Sequence, residues 1–274
     1  MIEELKITDW DDAYENGAYI EGAAGFPASF AEKAAGFRAA HGARAELDIA
    51  YGEGPRRRLD LFHPDGATQG LVVFVHGGFW RAFDKSFWSH LAAGALARGW
   101  AVALPSYTLA PEARIGAITA EIGAAIGLAA RRVAGPIRLA GHSAGGHLAS
   151  RMITAGAPLD PAARARVARV VSISGLHDLR PLIGTAMNAD LKLDEAEAEA
   201  ESPALLNPAP GARLLAWVGA AERPEFLRQS ALIANIWAGL GAATALHEEP
   251  GRHHFDVIDD LATPSSRLVA ELLG

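Results

Sequence analysis

From residue 71 onward the chain alternates short, wholly apolar runs with longer segments of mixed polarity. Leu71-Val72-Val73-Phe74-Val75 is apolar throughout, as a strand covered by helices on both faces should be. Trp100–Leu104 is a second such run, stopped by Pro105, and Ile137, Leu139 and Ala140 mark a third short buried strand. Val167–Ser174 and Leu214–Val218 read as further strands, with Ala243–His247 a weaker one. Between them, Asp84–Ala97, Pro111–Arg132, Gly146–Met152 and Phe226–Leu240 read as helices. Strands alternating with helices predict an α/β fold with a mostly parallel, doubly wound sheet. Upstream the period changes. Ala45–Tyr51 and Arg58–His63 alternate apolar and polar positions on either side of Gly52-Glu53-Gly54-Pro55. This pattern predicts an antiparallel hairpin at the sheet edge.

Two stretches stand outside this rhythm. Residues 1–45 carry Trp10, Tyr14, Tyr19 and an Ala-rich helical stretch over Ala28–Ala40. They read first as an arm packed against the domain and second as a roof over a pocket. Residues 176–210 include Asp194–Glu201, an acidic, helix-favouring run. Such a run is ordinarily a solvated helix face; as an insertion after a strand it also suits a small cap. One domain over residues 1–274 accommodates all of these elements without a linker.

Composition narrows the classes of function. At 274 residues, half of them hydrophobic, the chain can bury a large core. Its net charge is −7 and its longest basic run is Arg56-Arg57-Arg58. That argues against nucleic acid, whose binding needs a basic face to displace counterions. Cysteine is absent, which excludes disulfides, thiolate chemistry and Cys-ligated zinc. There is no His-Glu-x-x-His spacing either, so the expected chemistry uses neither metal nor cofactor. Met1–Lys6 is acidic and polar, unlike a secretory leader. No run approaches the roughly 18 apolar residues of a membrane helix. The expectation is a cytoplasmic protein acting on a small molecule, without a membrane partner. Oligomeric state is not legible, although homodimers are common in such folds.

Gly141-His142-Ser143-Ala144-Gly145 fits G-x-S-x-G between a predicted strand and a predicted helix. That context makes it a nucleophile elbow: a turn so sharp that the central serine is strained and its flanking positions must lack Cβ atoms. Ser143 is the candidate nucleophile. His76-Gly77-Gly78-Phe79-Trp80 directly follows the Leu71–Val75 strand. Acyl transfer puts negative charge on a carbonyl oxygen, and preorganised N–H donors stabilise it. The candidate donors are Gly78 and Ala144, with Gly77 or Phe79 as further choices. A serine nucleophile needs a base and an acid to orient it, following in the order acid, then His. Of His147, His177, His247, His253 and His254, the last lies on a loop between the late strand and a C-terminal helix and is preferred over His253. Glu222, just past the strand ending at Val218, is the first candidate acid. Glu225 is second and Asp178 third.

Together these motifs resemble the α/β-hydrolase superfamily, and within it the kynurenine formamidase (arylformamidase) group and its neighbours, the hormone-sensitive-lipase-like esterases. The HGG-aromatic-Trp block at 76–80 and the elbow through His147 carry the likeness. Ser174-Gly175-Leu176-His177-Asp178-Leu179, Glu222–Ser230, His254-Phe255-Asp256 and Tyr14-Glu15-Asn16 extend it along most of the chain. Block by block, the resemblance puts the acid on Glu222 and the base on His254. It implies hydrolysis of N-formyl-L-kynurenine to formate and kynurenine, a step of tryptophan catabolism. Phe79 and Trp80 would bind substrate, with Phe83, Phe87 and Trp88 as further aromatic surface. Two departures are visible. The acid position, more often Asp, holds Glu222, and Phe79 replaces a commoner Tyr. The same triad serves a carboxylesterase acting on short acyl esters. A non-catalytic binding protein on a hydrolase fold, as in the gibberellin receptors, is the alternative of another class; such proteins typically lose a triad member.

Overall fold

The computed structural model describes residues 6–274; the reading of Met1–Leu5 as an acidic, non-secretory start lies outside them. Eight strands form one sheet in the order β1-β2-β4-β3-β5-β6-β7-β8. These are β1 (Ala45–Ala50), β2 (Arg58–Phe62), β3 (Leu71–Val75), β4 (Ala101–Pro105), β5 (Ile137–His142), β6 (Val167–Ile173), β7 (Arg213–Gly219) and β8 (Ala243–Glu249). β1 and β2 pair antiparallel at one edge, and β2 joins β4 antiparallel. Every other pairing is parallel.

The continuous apolar runs follow from burial on both faces, because successive side chains of a strand point to opposite sides. Leu71, Val73 and Val75 of β3 enter one core, with α4 (Ile115–Arg132), α5 (Ala144–Arg151) and α9 (Pro224–Gly239). Val72 and Phe74 enter the other, with α2 (Phe26–His41), α3 (Ala93–Ala97) and α10 (Arg267–Leu273). The shorter helices are α1 (Trp10–Tyr14), α6 (Pro161–Arg164), α7 (Asn188–Leu191) and α8 (Glu195–Glu201). Asp194 caps α8, its side chain accepting from the Glu197 N–H at 2.8 Å. The two edge strands are largely exposed, and β8 carries Glu248 and Glu249, charged positions that discourage pairing with another sheet.

The helix expected over Asp84–Ala97 is broken. Two 3-10 turns, Lys85–Phe87 and Ser89–Ala92, precede a short α3. Local side-chain bonds compete with the helical ladder here. Asp84 accepts from the Ser86 N–H at 2.7 Å, and Ser106 Oγ accepts from the Lys85 N–H at 3.0 Å. Lys85 Nζ is drawn to Asp48 at 2.7 Å and Asp60 at 2.8 Å. Likewise the helix expected from Pro111 starts only at Ile115.

In strand order, β3 lies between β4 and β5, so the chain leaves β3 toward one side and β5 continues toward the other. A crevice at the carboxyl ends of the strands opens at such a switch point. The segments after β3, β5, β7 and β8 all converge on that end.

Candidate functional site

The turn after β5 has the strain that its glycines predict. Ser143 sits at φ 55°, ψ −120°, a conformation rare for a residue with a side chain. Its N–H donates to Ile173 O at 2.8 Å, and its carbonyl accepts from Gly146 at 2.9 Å and His147 at 3.2 Å. The turn is thereby anchored to β6 on one side and to α5 on the other. Ala144, the first residue of α5, and Gly77 and Gly78 after β3 donate their N–H groups to no acceptor among the described residues. For Ala144 this is the ordinary condition of a helix start.

His254 and Glu222 meet directly. His254 Nδ1 lies 2.6 Å from Glu222 Oε2, and both residues are buried. The contact requires Nδ1 to carry the proton, which leaves Nε2 with a free lone pair. The other carboxylate oxygen of Glu222 accepts from Gly219 N–H at 2.8 Å and from Ser174 Oγ. The loops after β7 and β8 are laced together by Ala220 N–H to Glu249 O and Ala221 N–H to Arg252 O, both 2.9 Å. A Cβ on Gly219 would lie 2.3 Å from Arg252 O, so only glycine lets the loops approach this closely. The His254 ring lies between Phe226, centroid distance 4.4 Å, and His142, 4.6 Å. His142 Nε2 donates to the His254 carbonyl at 2.8 Å. Ser143 and His254 line one cavity, but no hydrogen bond joins them among the described residues. Such contacts often tighten only when substrate is bound.

The other acid candidates point elsewhere. Glu225 is the second residue of α9, bonded to Arg228 at 2.7 Å, Tyr14 Oη at 2.9 Å and Gln229 at 2.8 Å. Asp178 is held by Arg180 at 2.8 Å. His253 is half-buried against Asp256.

The cavity holds about 590 Å³. Phe79, Phe83 and Trp88 line it as expected, but Trp80 and Phe87 do not. Trp80 is wholly buried, its ring edge-on to His147 at 5.1 Å. Left-handed backbone at Phe79 (φ 48°) and Trp80 (φ 56°) turns the first ring to the cavity and the second into the core. The arm is more than packing, because Tyr14, Phe26 and Phe30 also form cavity wall. That is the second reading of the arm, a roof over a pocket; sequence reasoning did not single out Phe26 and Phe30, nor Arg81 and Asp190 at the mouth, nor His142 and Ser174 as supports. Only Ser174 left a sequence signal, its place before a glycine at a strand end; its φ is 51°.

Three other histidines near the site are fully buried and neutral. His76 Nδ1 donates to Gly77 O at 2.7 Å, and His147 Nε2 to Glu201 O at 2.7 Å. His177 Nε2 contacts Ser172 Oγ at 3.0 Å. Burial pushes His76 and His147 down to about 4 and His177 down to about 3. The unfolded chain, with these groups near 6.5, binds protons that the folded one refuses. Stability therefore falls as pH drops from about 6.5 toward 4, by on the order of 2 kcal/mol per imidazole at about pH 5. Urea denaturation at about pH 7.5 and pH 5 should show the loss; a flat profile would contradict this burial.

Residues 59–210 match the family model of BD-FAE. Kynurenine formamidase of Salmo salar is 27% identical over 241 residues, covering 84% of this chain and 82% of that protein. The Drosophila melanogaster kynurenine formamidase is 27% identical over 235 residues, covering 80% and 77%. A crystal structure from Silicibacter sp. TM1040, of a chain provisionally described as a thioesterase, is 52% identical with a TM-score of 0.92, covering 97% of this chain and 99% of that one. An esterase of Pyrobaculum calidifontis, 21% identical, superposes with a TM-score of 0.69 over 90% of this chain and 91% of its own, a likeness of fold.

Proposed function

The chain belongs to the BD-FAE family of α/β-hydrolases, and on that basis we propose that it is a cofactor-free serine hydrolase of N-formyl aryl amides, N-formyl-L-kynurenine foremost. The observation that carries the chemistry is the 2.6 Å Glu222–His254 contact beside Ser143 in one cavity. Glu222 holds the His254 ring with its proton on Nδ1. His254 Nε2 takes the Ser143 proton as Oγ attacks the formyl carbon. The N–H groups of Ala144 and Gly78, with Gly77, receive the oxyanion. His254 then protonates the departing aryl amine. Water, deprotonated by the same Nε2, hydrolyses the formyl-serine and releases formate. The aromatic wall of Phe79, Phe83 and Trp88 suits an aryl leaving group. The choice of formamide rests on the curated relatives, which align along most of the chain.

The Silicibacter neighbour favours a second reading, hydrolysis of short acyl esters or thioesters by the same triad. The two separate on kcat/KM for N-formyl-L-kynurenine, p-nitrophenyl acetate and an acetyl thioester. The formamide should lead by about tenfold or more, the scale of discrimination that pocket contacts supply. A lead for the ester or thioester would retire the deformylase reading.

A further inference from the structure

Resting on the aryl formamide reading, we propose that the cavity mouth is a subsite for the amino-acid end of the substrate, with Arg81 taking an α-carboxylate and Asp190 an α-ammonium. Arg81 Nη1 and Asp190 Oδ2 stand 3.3 Å apart at the cavity mouth, with side chains 34% and 48% exposed. Among the described residues neither side chain makes a hydrogen bond, so most of the guanidinium donors are unused. An exposed pair of this kind contributes little to stability. A zwitterion inserted between the two exchanges that weak contact for two charge-assisted ones, and a carboxylate can take two parallel guanidinium donors.

Both charges sit on segments that are anchored through the main chain. The Arg81 N–H donates to Gly78 O at 2.9 Å, so the guanidinium rides on the turn that bears the proposed oxyanion donor. Asp190 belongs to α7, which Asn188 ties down by accepting from Leu193 N–H at 2.7 Å and donating to Leu193 O at 3.1 Å. The segment is further joined to the arm, where Ala186 N–H donates to Asp11 at 2.8 Å. Glu15 adds a second carboxylate to the mouth. An aromatic chamber with one cation and two carboxylates at its lip suits an aryl group carrying an amino-acid tail. A neutral acyl ester would leave these charges idle.

Calorimetric titration of the full chain with L-kynurenine and with 2-aminoacetophenone, the same aryl ketone without the amino-acid end, tests the subsite without turnover. L-kynurenine should bind about tenfold tighter, the size of one charge-assisted contact at a half-exposed site. Arg81→Gln should bring the ratio of affinities near one, and Asp190→Asn should lower it part of the way. A ratio near one in the parent protein, or a ratio unmoved by Arg81→Gln, would overturn the subsite. So would a variant that weakens both ligands equally. Hydrolysis of N-formyl-L-kynurenine is scored separately: its absence alongside a ratio that depends on Arg81 sinks the deformylase reading and leaves the subsite standing.

Discussion

Ser143→Ala is expected to lower kcat by a factor on the order of 10⁴ or more on whichever acyl substrate the protein turns over best. The thermal midpoint should stay close to that of the parent. The two expectations follow from different features of one residue. The hydroxyl is the proposed nucleophile, and no other group at the switch point can replace it. The backbone strain at φ 55° is imposed by bonds that do not involve Oγ: the Ser143 N–H on Ile173 O and the Ser143 carbonyl on Gly146 and His147. Alanine keeps all of them. A fluorophosphonate probe should label the parent and not the variant. Ser150, Ser172 and Ser174 are controls, since all three are buried and their hydroxyls are bonded to Gly146 O, His177 and Glu222. Labelling that persists in Ser143→Ala would move the nucleophile elsewhere and end the triad proposed here.

How far such a site can be read from sequence depends on how local its causes are. Ser143 and the glycines around it were legible because a sharp strand-to-helix turn demands them within five residues. The β3 run was legible because burial on both faces leaves no polar position in Leu71–Val75. The choice between Glu222 and Glu225 was not local. Both follow β7, and only the placement of the β8 loop brings His254 to Glu222, while Tyr14 and Arg228 take up Glu225. Arg81 and Asp190 lie far apart in the chain and meet only through the folding of the segment after β6. Trp80 was misplaced for a subtler reason: neighbouring residues in left-handed conformation send their side chains to different sides, and periodicity does not encode φ. The broken helix before α3 belongs with these cases, since its competitors include Ser106, Asp48 and Asp60 from other elements.

Gly145→Ala should be as damaging to folding as Ser143→Ala is to catalysis. A Cβ at Gly145 would stand 2.0 Å from Val75 O and 2.6 Å from His76 O. Both are backbone atoms of the β3 end, so no rotamer change relieves the clash. The helix cannot retreat either. A Cβ added at Gly141 would lie 2.0 Å from Gly145 O, and one added at Gly146 would lie 2.7 Å from Ser172 Oγ and 2.8 Å from Gly175 Cα, so α5 is approached as closely by β5 and by the segment after β6 as by β3. Moving α5 away from β3 would press it against β5 and β6 and open the core around Leu148, which is wholly buried. Several kcal/mol of overpacking strain are expected, beyond about 4 kcal/mol, a range reached by few single substitutions. Gly25→Ala is the matched control, because nothing lies within 4 Å of its Cβ position and its φ is −83°. Urea denaturation should place Gly25→Ala beside the parent and Gly145→Ala far below it or in the insoluble fraction. A Gly145→Ala chain that unfolds at the parent's urea midpoint would mean that α5 is not packed on β3 as closely as described. The proposed oxyanion site would fall with that contact, because the same approach that excludes a methyl group brings the Ala144 N–H and the Gly77–Gly78 turn to the same end of the sheet.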